Sequence, residues 1–92
     1  MTQHETWVAL RAHWQELADL GGTLALLGWD QSTYLPRGGS AGRARQRALL
    51  SGVRHARATD AGYGRLLDAA GALDLGPVEA RMLAVARREF ER

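Results

Sequence analysis

Trp7, Leu10, Trp14, Leu17 and Leu24 recur at helical spacing. At about 100° per residue they share an arc of roughly 100°. Ahead of them, Thr2-Gln3-His4-Glu5 has the form of a capping box, Thr2 as N-cap and Glu5 three residues on. The pattern predicts one long helix over about 3–31, the element around which everything else must be arranged. Gly21-Gly22 falls in its middle, and a mid-helix glycine costs roughly 1 kcal/mol relative to alanine. A kink, or the close approach of a crossing helix, would account for the pair.

Beyond Gly22 the stripe dissolves. Leu20, Leu24, Leu26, Leu27 and Trp29 point around most of the circumference, and a helix apolar all round is normally buried all round. A chain of 92 residues makes at most one domain and buries a modest fraction of its surface. Three further short helices cannot cover such a helix completely, so the chain reads as part of something larger.

Tyr34-Leu35-Pro36-Arg37-Gly38-Gly39 breaks the helical pattern. Proline holds the residue before it extended, and the glycines permit positive φ. Ser40 is expected to cap a second helix over about 41–58, with Leu49, Val53 and Ala56 as its apolar stripe. Thr59 or Asp60 opens a third over about 61–71, burying Tyr63, Leu66, Leu67 and Ala70, with Gly71 to end it. Gly76-Pro77 opens a fourth over about 77–92, proline at the favoured first position and Met82, Val85, Ala86 and Phe90 inward. The expected fold is all-α: a long helix folded back in a hairpin, with two to three further helices. The last helix carries no stop signal through Arg92. A longer protein interrupted there is favoured over a naturally frayed terminus.

The chain has no cysteine, so disulfides, thiolate metal sites and redox motifs are excluded. The start has no secretory-signal pattern, and the dense apolar segment Leu20 to Trp29 is too short to span a bilayer. These features fit a cytoplasmic protein. Charge is uneven: no acid lies between Asp30 and Asp60, while Arg37, Arg43, Arg45, Arg47, Arg54 and Arg57 do.

Few residues invite chemistry. His4-Glu5-Thr6-Trp7-Val8 falls one ligand short of the His-Glu-x-x-His zinc pattern, because Val8 cannot bind a metal. His4, His13 and His55 have no ligand spacing among themselves and read as surface or packing histidines. Arg43, Arg47, Arg54 and Arg57 share about 80° of the second helix. Such a face can bind phosphate backbones, but no aromatic is interleaved and no nucleic-acid motif is present, so partner carboxylates or solvent are favoured. Ser32, Ser40 and Ser51 lack a histidine and acid at telling positions, and Gly38-Gly39-Ser40 is better explained as a turn than as an anion site. Asp30 is unusual, since the helix dipole disfavours an acid at a C-terminus. An arginine or a loop N–H is expected to compensate it.

Trp29-Asp30-Gln31-Ser32-Thr33-Tyr34-Leu35-Pro36 followed by Gly38-Gly39 resembles the N-terminal signature of the carboxypeptidase Taq family of zinc metallocarboxypeptidases. Arg43-Ala44-Arg45-Gln46 is similar to the family's second-helix segment, and His55, Thr59-Asp60 and Leu66-Leu67 to its next turn and helix. Leu35 departs from the family, which often has methionine there. The resemblance implies a much longer helical enzyme that removes C-terminal residues from peptides with a divalent metal, usually zinc, held by His-Glu-x-x-His and a downstream glutamate. None of those ligands is in this chain. The segment is therefore expected to be non-catalytic and to shape or gate the substrate groove. The signature positions Trp29, Asp30, Gln31, Thr33, Pro36, Gly38, Gly39, Arg43 and Gln46 would form a structural corner. The expected partners are the catalytic body and, through exposed apolar faces, a second copy, with no nucleic acid and no membrane. The alternative is a free-standing helical interaction or dimerisation module without enzymatic activity.

Overall fold

A computed structural model describes residues 2–33 and 37–92, apart from the side chains of Thr33 and Arg37. Helix α1, Gln3–Thr33, is 31 residues long, about 46 Å at 1.5 Å per residue. A 3-10 turn, Arg37–Gly39, leads into α2, Ser40–Ala58. Helices α3, Ala61–Ala70, and α4, Pro77–Phe90, follow. No strand occurs among the described residues, and the fold is all-α as expected.

Helix starts follow from local chemistry. Thr2 Oγ1 accepts the Glu5 N–H at 3.1 Å, closing one arm of the expected capping box. Asp60 rather than Thr59 caps α3: its backbone is extended, and its carboxylate accepts the Tyr63 N–H at 3.1 Å. Gly76 precedes Pro77 at the start of α4, where the missing proline N–H costs nothing. Ser40 is not the N-cap of α2. The 3-10 turn runs straight into the helix, Gly39 is itself helical at φ -88° and ψ -15°, and no side chain caps the start. No described glycine has a positive φ, so Gly38 and Gly39 do not act through left-handed geometry.

The core lies at one end of the molecule. Leu10 of α1, Tyr63, Leu67 and Ala70 of α3, and Leu83 of α4 form it. Trp7, Trp14, Leu17, Leu66, Leu73, Leu75, Ala86 and Phe90 pack around them. Burying a leucine such as Leu10 or Leu67 contributes roughly 1.5–3 kcal/mol. Close approach of α4 to α3 depends on Gly64, where a Cβ would stand 2.8 Å from Phe90 Cζ. On α4 the expected inner face is rotated: Leu83 is buried, while Met82 and Val85 are exposed. The short α4 meets α3 and α1 on one side only, so its second apolar stripe is left facing outward.

The far half of α1 extends beyond this core with α2 alongside. The radius of gyration is 16.6 Å, against about 12 Å for a compact chain of this length. Both glycines lie within the unbroken helix. Gly21 faces α2, with Arg54 Nε 3.6 Å from where a Cβ would be, and Gly22 faces open space. As its all-round apolar pattern implied, the far half of α1 is incompletely covered: Leu26 and Trp29 are exposed.

Helix α2 reverses its expected orientation. Leu49 and Val53 are exposed and no residue of α2 is buried. The arginine face, not the apolar stripe, packs on α1.

Candidate functional site

The signature residues gather where α1 ends and α2 begins. Arg43 Nη2 meets Asp30 Oδ2 at 2.9 Å, and the two side chains are 26% and 33% exposed. Arg43 Nη1 also donates to Gln46 Oε1 at 2.8 Å. Arg43 Nε is enclosed without an acceptor among the described residues. Asp30 thus has the arginine partner its place at a helix C-terminus called for. The pair is mutually necessary, because Arg43 in turn lies near the positive N-terminal end of α2.

Gln31 ties the two helices of this corner together. Its Nε2 donates to Ser40 Oγ at 3.1 Å and to the Ser40 carbonyl at 3.3 Å. Its Oε1 accepts from Arg47 Nη1 at 3.0 Å. Arg47 lies so close to α1 that a Cβ on Gly28 would come within 3.2 Å of its Nη2. A Cβ on Gly38 would meet open space. Trp29 lies on the outer side, 55% exposed. Pro36 and the Thr33 side chain lie outside the described residues. The structure therefore brings Asp30, Gln31, Arg43 and Gln46 together, with Gly39 leading into the same turn.

Arg47 was legible only as one member of the arginine stripe. The whole stripe turns out to be ligated by α1. Arg54 Nε donates to the Leu17 carbonyl at 3.4 Å, and Arg57 pairs with Glu16. The signal lay in α1, where Glu16, Asp30 and Gln31 provide acceptors opposite a helix with no acids.

A second polar joint closes the other end of α2. His13 Nε2 lies 2.9 Å from the Arg57 carbonyl, and the His13 ring stacks on Tyr63 at 4.1 Å between centroids. The Trp14 indole N–H donates to Tyr63 Oη at 2.9 Å, and Phe90 meets the Tyr63 ring edge-on. Burial raises the Tyr63 pKa above its ordinary value, the Trp14 hydrogen bond opposes the shift, and the nearby Glu89 carboxylate adds to it. His13 is thus a packing residue with a backbone partner.

No group of three or more possible metal ligands occurs among the described residues. The residues present do not fit the zinc implied by resemblance. Among the described residues no helix is long and apolar enough to cross a membrane.

Residues 9–92 match the family model described as carboxypeptidase Taq (M32) metallopeptidase. The chain belongs to this family. It is 38% identical over 68 residues to thermostable carboxypeptidase 1 of Thermus thermophilus, covering 74% of this chain and 13% of that protein. Among solved structures, the M32 carboxypeptidase of Deinococcus radiodurans superposes with a TM-score of 0.91 at 65% identity, over 95% of this chain and 18% of that one. A structure described as that of CHT superposes at 0.92 with 32% identity and the same coverages. The chain therefore spans under a fifth of the length of the relatives it matches.

Proposed function

We propose that this chain is the non-catalytic N-terminal segment of a metal-dependent carboxypeptidase that removes C-terminal residues from peptides, and that it shapes or gates the substrate groove. The family match over residues 9–92 carries the reading. The zinc or other divalent metal is held by parts of the enzyme beyond this segment. The hairpin corner keeps the α1–α2 projection at a fixed angle: Asp30 and Gln31 bind Arg43, Ser40 and Arg47, so the two helices move together.

The test is a peptidase assay with added zinc on this chain and on the complete product of its coding region. The chain should release no C-terminal residue, and the complete product should be active. Arg43→Ala in the complete product should change KM or kcat without loss of bound metal. Activity of the short chain comparable to that of a complete enzyme refutes the non-catalytic assignment, and unchanged kinetics in the variant refutes the gating role.

The second reading is a free-standing dimerisation module. It is favoured by the exposed Leu26, Leu49 and Val78. Light scattering separates the two, since a strictly monomeric, folded chain excludes it.

A further inference from the structure

Helix α2 has no buried residue, and none of its side chains belongs to the core cluster. Its hold on α1 is polar: Arg43 to Asp30, Arg47 to Gln31, Arg54 to the Leu17 carbonyl, Arg57 to Glu16. Leu50 and Val53 are its only large apolar side chains that are even half buried, and neither is fully buried. Partly exposed ion pairs and hydrogen bonds contribute little each, whereas ordering the backbone carries an entropic cost at every one of the 19 residues. The arginine face alone is a weak anchor.

The opposite flank offers what is missing. Leu49 is 68% exposed and Val53 37% exposed, with Ala56 exposed beside them. The stripe runs into a surface recess of about 420 Å³ bordered by His13, Val53, Ala56, Arg57 and Asp60. Arg45 lies at the stripe's edge and makes no ion pair among the described residues. A second copy is a poor occupant, because pairing this flank with itself puts Arg45 on each side of the interface with no acid on either α2 to meet it. Relatives of the same fold have more than four-fifths of their length outside this segment.

We infer that α2 is a two-sided connector, which docks its Leu49–Val53–Ala56 stripe on an apolar patch of the remaining carboxypeptidase chain, where an acidic side chain meets Arg45. This rests on the proposed function and names the surface through which the segment joins the enzyme. The arginine face fixes α2 to α1 while the apolar flank fixes both to the body.

The test is hydrogen exchange of the α2 amides in the complete product of the coding region, compared with the same amides in the 92-residue chain. Peptidase activity is measured first: an inactive complete product defeats the proposed function itself, whatever α2 does. In an active product, α2 should exchange about a hundredfold more slowly than in the short chain. Leu49→Asp and Val53→Asp should erase most of that difference. Val78→Asp, on the equally exposed flank of α4, should leave it intact. If the stripe variants fail to fold, Arg45→Glu carries the test and should raise α2 exchange about threefold. Equal protection of α2 in the short and complete chains overturns the inference, as does an unchanged rate in Leu49→Asp or, where the stripe variants do not fold, in Arg45→Glu. Protection that grows with protein concentration, together with a dimer mass in light scattering that Leu49→Asp abolishes, assigns the flank to a second copy and equally overturns it.

Discussion

The Asp30–Arg43 pair makes a sharp energetic prediction because both charges stand at unfavourable helix ends. Asp30 lies in the last turn of α1 and Arg43 near the start of α2. Each opposes its helix dipole at a cost of about 0.3–1 kcal/mol. At 2.9 Å, with side chains 26% and 33% exposed, their attraction lies between that of an exposed pair and that of a buried one. Discounted for solvent screening, it amounts to about 1 kcal/mol. Removing one partner by Asp30→Ala or Arg43→Ala forfeits the attraction but also lifts the removed charge's own dipole penalty, so each should cost only about 0–0.7 kcal/mol. Arg43→Ala should be the more damaging, because Arg43 also donates to Gln46. The double variant removes both penalties and should cost distinctly less than the sum, with a coupling near 1 kcal/mol, or about fivefold in exchange protection. Hydrogen exchange of the N-terminal α2 amides in the four proteins measures it. Salt near 1 M should shrink the coupling. Additivity within about 0.3 kcal/mol refutes the argument that each charge compensates the other.

Three further outcomes follow from the core. Leu67→Ala, at a side chain that is 2% exposed, should lower unfolding stability by about 2–5 kcal/mol in urea titration. Gly64→Ala should cost about 1–3 kcal/mol by driving a methyl into the Phe90 ring, and Phe90→Leu in the same chain should recover part of it. The raised Tyr63 pKa means that folding favours the neutral phenol. Its contribution is therefore complete below the ordinary tyrosine value, about 10, and is lost as pH rises through the higher folded value. Alkaline unfolding followed by circular dichroism should show that loss, and Tyr63→Phe should abolish that pH dependence.

Much of the fold was legible because it is written in local signals. The Thr2 cap, the Asp60 cap and Pro77 each act within a few residues, so helix existence and boundaries came through closely. Tyr63, Leu67 and Ala70 were likewise readable as the inner face of α3. What failed was the direction in which two helices turn. Leu49 and Val53 on α2, and Met82 and Val85 on α4, look like inner faces by spacing, because apolar periodicity marks a surface to be covered without saying which neighbour covers it. The arginine face of α2 could be assigned only by matching it to Glu16, Asp30 and Gln31, residues far away in sequence. Gly38-Gly39 suggested a left-handed turn, yet the backbone runs right-handed through a 3-10 turn into the helix. At the corner, Asp30 was expected to need a compensating partner, but nothing local pointed to the Gln31 bridge to Ser40.

The three tryptophans divide the molecule optically. Trp7 and Trp14 lie edge to face at 5.6 Å beside the core, and Trp14 is hydrogen-bonded to Tyr63. Trp29 lies at the far end of the same helix, more than half exposed. One rigid rod therefore carries a shielded emitter at its rooted end and a solvated one at its tip. An aqueous quencher reaches the tip first, so fluorescence distinguishes a hairpin that has lifted into solvent from a core that has melted, without any label being attached.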